Sequence, residues 1–152
     1  MTEKPASVDP ATDHRAVESA RKSLFSFSIA LDVLLGVMLV LGLLISAGNN
    51  GLRDMHSIVG YMALLVGLIC AFVALRVAMP LKRMGVFFHA LSLPILMAVQ
   101  IALGEIGQTH IHMALGVAIV LAAIGLTMLA KKLAARTTGT TATAEAGATD
   151  HR

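Results

Sequence analysis

Apolar residues run along this chain in four long blocks, at residues 24–47, 55–79, 85–104 and about 110–130, divided by short polar stretches. Each block approaches the roughly 20 residues that an α-helix needs to cross the hydrocarbon of a bilayer. Strands do not suit them: an open sheet would leave backbone groups unpaired in lipid, and each block is about twice the length of a barrel strand. The pattern therefore predicts an all-α integral membrane protein with four spans. The connections GNNGLRD (48–54), AMPLKRM (78–84) and EIGQT (105–109) are short, so successive helices should pack antiparallel in an up-down four-helix bundle. Gly42, Gly60, Gly67, Gly116 and Gly125, with many alanines, supply the small surfaces that let membrane helices approach.

Composition agrees with one membrane domain. Hydrophobic residues make up 57% of the 152 and charged residues 14%, and the mean hydropathy is +0.80, above the range of soluble domains. The net charge of +3 and pI near 9.4 would suit nucleic acid, but the positions of the basic residues speak instead for topology. Arg15, Arg21 and Lys22 precede the first span, Arg76, Lys82 and Arg83 lie around the middle connection, and Lys131, Lys132 and Arg136 follow the last. Arg53 is the one basic residue in the other two connections. By the positive-inside rule the chain is expected in the cell membrane with both termini cytoplasmic. Residues 1–22 and 137–152 are polar or rich in Thr, Ala and Gly, and are expected to be disordered cytoplasmic tails flanking a bundle at 23–132. The N-terminus has no short apolar region with a small-residue cleavage site, so the first span is expected to stay as an anchor. Cys70 is alone and mid-span, which excludes an internal disulfide and a Cys-x-x-Cys motif.

Two short stretches repeat. Residues 55–60 read MHSIVG and residues 111–116 read IHMALG, each with a histidine four residues ahead of a glycine. Laid over one another at a single offset of 56 residues, the two halves pair His56 with His112, Gly60 with Gly116, Gly48 with Gly104 and Gly51 with Gly107. A duplicated helical hairpin follows, its copies related by a pseudo-twofold axis along the membrane normal. His56 and His112 then lie at the same depth on helices running the same way, just inside the outer leaflet.

Histidine is costly within a membrane and tends to face a bundle interior. Two related by an axis through the bundle can face each other, and a neutral imidazole from each side gives the two axial ligands of one heme b iron. Gly60 and Gly116, one turn deeper on the same faces, are expected to let a flat macrocycle rest against backbone. Arg53 is placed to meet a heme propionate through paired hydrogen bonds. His110 is a rival ligand to His112, although residues two apart on a helix point about 200° apart and cannot both face the core. A zinc or copper site drawn from His56, His110, His112, Glu105 and Asp54 is a further alternative if the loop is not helical.

The four spans, the histidines that open spans two and four, and the stretches VQIALGEIG (99–107) and HIHMALGVAIVLA (110–122) resemble one four-helix half of heme A synthase, over about residues 30–130. In that family the paired histidines of each half ligate heme, which the resemblance carries over to His56 and His112. The family's glutamate three residues before a ligand histidine is replaced by Arg53 and Thr109 here, and the paired loop cysteines seen in some members are missing. The resemblance therefore implies heme binding and puts heme A synthesis in doubt.

A second polar pair lies nearer the cytoplasmic side. Asp32 interrupts span one and His89 enters span three, followed by Pro94. An acid in hydrocarbon costs roughly 2.5–3.5 kcal/mol and seeks a partner, so Asp32 and His89 are expected to approach each other, as a packing bond or as a proton-carrying pair. Three functions remain open: a b-type membrane cytochrome exchanging electrons with a quinone or a redox protein, a small proton-coupled transporter using Asp32, and a non-catalytic membrane subunit. Whether a substrate is chemically changed, and whether the bundle forms a homodimer, stay open.

Overall fold

The computed structural model describes residues 10–149, and side-chain surroundings for residues 15–135. Four helices account for its regular structure: α1 (Pro10–Ser46), α2 (Arg53–Leu81), α3 (Met84–Glu105) and α4 (Thr109–Thr149), with a 3₁₀ turn at Asn50–Leu52. All four are long and apolar enough to cross a membrane. Within the most apolar window of each, only 22–28% of the residues are buried inside the molecule, so most of its apolar surface faces outward, as lipid contact demands. The chain is a multi-pass membrane four-helix bundle.

The helices reach further than the apolar blocks. α1 already begins at Pro10, a residue suited to a first helical turn. It runs through residues expected in the N-terminal tail because residues 11–22 hold no glycine or proline. Lys22 also bonds Glu18 one turn back at 2.8 Å. α4 continues to Thr149, with no proline to stop it. Residues 1–9 and 150–152 of the two expected tails lie outside the described residues.

α1 packs on α2 and α4, and α3 packs on the same two, which leaves α1 and α3 on one diagonal and α2 and α4 on the other. One end of the bundle carries the α1–α2 and α3–α4 connections (the hairpin end); the other carries the α2–α3 connection and both termini (the terminal end). The helices stop for local reasons. Gly48 and Gly107 adopt the left-handed conformation (φ 104° and 73°) after α1 and α3. In each case the following residue's N–H reaches five residues back, Asn49 to Leu44 and Gln108 to Leu103, in a Schellman cap. Lys82, also left-handed at φ 51°, ends α2 in the same way, with Arg83 N–H on the carbonyl of Ala78.

The core repeats between the hairpins. Among the buried positions of α2, which also include Ala71 and Ala78, one series is Gly60, Ala63, Gly67, Cys70, Ala74 and Val77, and on α4 the buried positions are Ile119, Ala123, Leu126, Ala130 and Leu133. From Ala63 onward each α4 position lies 56 residues after its α2 counterpart, at the alternating three and four spacing of left-handed helix packing. On α1 and α3, beside Leu41 and Pro94, the buried residues include the series Leu24, Ser28, Leu31, Leu35 and Val86, Ala90, Leu93, Met97. Here the offset is 62. The single offset of 56 expected for the whole hairpin thus holds for α2 and α4 and fails for α1 and α3. The reason lies in the connections: α1 runs about one turn further past the matched core than α3 before its capping glycine, and the 3₁₀ turn adds another three residues before α2. In the corrected register Gly104 corresponds to Gly42, not to Gly48.

Candidate heme-ligating site

The first turns of α2 and α4 place His56 and His112 at the hairpin end, on the diagonal pair of helices. Their ring centroids are 6.1 Å apart, with the ring planes tilted by 51°. A metal held between two imidazoles lies about 2 Å from each nitrogen, which sets the ring centroids about 6 Å apart. The two rings stand at about the separation that a metal held in line between them would set.

Each ring rests beside a glycine of the neighbouring helix. A Cβ on Gly42 would lie 3.6 Å from Cε1 of His56, and one on Gly104 would lie 3.3 Å from Cε1 of His112. One turn deeper, the expected roles of Gly60 and Gly116 change. Their open faces receive protein side chains: Met38 covers Gly60, its methyl 3.2 Å from where a Cβ would be, and Gln100 covers Gly116 at 2.9 Å. The hairpins therefore share one device, in which Met38-x-x-x-Gly42 faces His56-x-x-x-Gly60 as Gln100-x-x-x-Gly104 faces His112-x-x-x-Gly116. Both covering side chains are unbranched, and the thioether in particular adapts easily to a new neighbour.

Gln100 also fixes His112. The ring Nδ1–H donates to the backbone carbonyl of Gln100 at 2.9 Å, and the Gln100 side-chain Nε2 donates to the carbonyl of His112 at 2.6 Å. A carbonyl only accepts, so the proton sits on Nδ1 and the lone pair on Nε2, the tautomer of a metal-ligating histidine. Two polar atoms at the site are buried without a partner, Nδ1 of His56 and Oε1 of Gln100. Buried polar groups of this kind are uncommon.

Two cavities border both histidines. One, of about 150 Å³, is almost wholly apolar and reaches the outward face between α1 and α4 at Leu39, Leu43 and Val117. The other, of about 440 Å³, opens at the hairpin end past Arg53, Ser57 and Glu105, within the roughly 300–1,000 Å³ usual for cofactor and small-ligand sites. Arg53 is exposed at its rim, where its Nε donates to Oδ1 of Asn50 at 3.2 Å. His110 is exposed and lines neither cavity. The rival zinc or copper site does not assemble, since no three His, Cys, Asp or Glu side chains come together among the described residues.

The expected Asp32–His89 pair is not formed. Thr127 of α4 donates its hydroxyl to Oδ2 of Asp32 at 2.7 Å, and His89 donates from Nε2 to the carbonyl of Ala122 on α4 at 3.0 Å. α1 and α3 lie on a diagonal with α4 packed against both, so each polar side chain is met by α4 first. The place of Gly42 beside His56, the bond of Thr127 to Asp32 and the clasp of Gln100 on His112 escaped the sequence reading. The available signal was the four-residue spacing of Met38 to Gly42 and Gln100 to Gly104, which emerges only when the second half is shifted by six residues. No protein-family model matches the chain, nor does any curated protein or solved structure, so a functional reading rests on the site itself.

Proposed function

We propose that the protein is a small b-type membrane cytochrome, in which His56 and His112 hold one heme between α2 and α4 for electron transfer. The observation that carries the reading is the 6.1 Å separation of the two rings across the bundle diagonal. Support comes from the lone pair left on Nε2 of His112 by its bond to Gln100, and from the cavities that border both rings. When bound, heme supplies a one-electron couple. The chain's part is to present two imidazoles, to wall the site with apolar side chains that exclude water, and to place the Arg53 guanidinium at the rim for a propionate. By the distribution of basic residues the hairpin end faces outward and both termini are cytoplasmic. A quinone in the bilayer or a redox protein at the hairpin end exchanges the electron.

A visible spectrum of protein purified from the membranes of heme-replete cells tests the reading. Low-spin, six-coordinate b-type heme in the reduced-minus-oxidised difference is the expected result, and a colourless preparation overturns it. One observation favours a second reading, proton-coupled transport: Oδ1 of Asp32 is buried without a partner. Proton-driven flux lost in Asp32→Asn, in a protein without heme, would select that alternative.

A further inference from the structure

The two imidazoles are not equivalent. His112 is held from two directions, through its Nδ1–H on the Gln100 carbonyl and through its own carbonyl under the Gln100 amide. The bond to a backbone carbonyl selects one tautomer and makes Nε2 a better donor. Nothing comparable holds His56. Its Nδ1 is buried without a partner, so no hydrogen bond selects its tautomer or orients its ring. A Cβ on Gly42 would stand 3.6 Å from its ring, against 3.3 Å for one on Gly104 from the ring of His112.

We infer that His112 is the fixed ligand of the pair and His56 the exchangeable one, so that the α2 side of the site admits a small neutral donor, such as imidazole or carbon monoxide, in place of the His56 ring. The inference rests on the heme reading and deepens it. No electron moves in the exchange: the incoming lone pair takes the place of the His56 lone pair. Removing an outer partner of a ligating histidine typically weakens metal binding by about 10–100-fold, which sets the scale of the asymmetry. The apolar cavity between α1 and α4 gives a neutral donor a route to the rings from the bilayer.

Two measurements on the full chain test this. In heme-free protein, nitrogen NMR of the imidazoles is expected to show His112 as a single tautomer protonated at Nδ1 and His56 as a mixture of both. Equal mixtures, or one locked tautomer at His56, overturn the inference. In heme-loaded protein, added imidazole is expected to restore the six-coordinate spectrum of His56→Ala and not that of His112→Ala, with heme held about tenfold more tightly in the first variant. Equal weakening, or the reverse order, overturns it. Wild-type protein that takes up no heme overturns the heme reading and the ligand assignment together, whereas the NMR result bears on the asymmetry of the rings alone.

Discussion

Thr127 on α4 donates its hydroxyl to Oδ2 of Asp32 on α1 at 2.7 Å, in the terminal half of the bundle and apart from the histidine site. The bond ties together two neighbouring helices. Hydrogen bonds between membrane helices contribute modestly, because alternative partners exist in the unfolded state.

Thr127→Val should therefore lower the stability of the bundle by about 1 kcal/mol, the scale of such bonds, and leave the spectrum of the histidine site unchanged. Reversible unfolding in mixed detergent micelles measures the first and absorption the second. A spectral change would mean that the two polar layers are coupled.

The paired glycines predict an unequal cost of adding one methyl group. At Gly60 a Cβ meets the flexible end of Met38, which can turn aside. At Gly116 it meets Nε2 of Gln100 at 2.9 Å, and Gln100 cannot move without giving up its bond to the His112 carbonyl. Gly116→Ala should cost about 1–3 kcal/mol, as overpacking does, and Gly60→Ala clearly less. Thermal unfolding of the two variants compares them; equal cost would contradict the role given to Gln100.

The four spans were legible because the bilayer sets their length, and His56 and His112 because both open a span with glycine one turn on. The outer register was not legible, since one offset cannot describe two hairpins when α1 runs about one turn further than α3 and its connection to α2 is three residues longer. That is why Gly48, a capping glycine, stood in for Gly42. The partners of Asp32 and His89 were missed for a different reason: a run of apolar residues does not reveal which helices share a diagonal. Thr127 is one hydroxyl among the residues of span four until α4 is known to lie against α1.

Topology follows from charge. Cysteine placed at Asn50 should react with an impermeant reagent added outside intact cells, and cysteine placed at Lys82 should not. Cys70 is fully buried and should stay silent. Labelling at Lys82 instead would invert the orientation proposed for the bundle.

The first turns of α1 carry a pH dependence. The hydrogen bond and charge of Lys22 hold the Glu18 carboxyl below its ordinary range. A depressed carboxyl stabilises the folded form above its unfolded pKa, and that contribution is lost as pH falls through the folded value. The protection of the amides around Glu18 to Lys22, their exchange taken relative to that of an unstructured chain at the same pH, should fall below about pH 4, where an ordinary glutamate titrates, and added salt should weaken the effect. Glu18→Gln should show the lowered protection at every pH; wild-type protection that does not change with pH would show that the pair has no influence there.

The facing of His56 and His112 across the diagonal is tested most directly by the reduced-minus-oxidised spectrum of four proteins prepared alike: wild type, His56→Ala, His112→Ala and His110→Ala. Six-coordinate low-spin b-type heme is expected in wild type and in His110→Ala, and its loss in each of the other two. Heme absent from wild type, or retained in its six-coordinate form after His56 or His112 is removed, would contradict it.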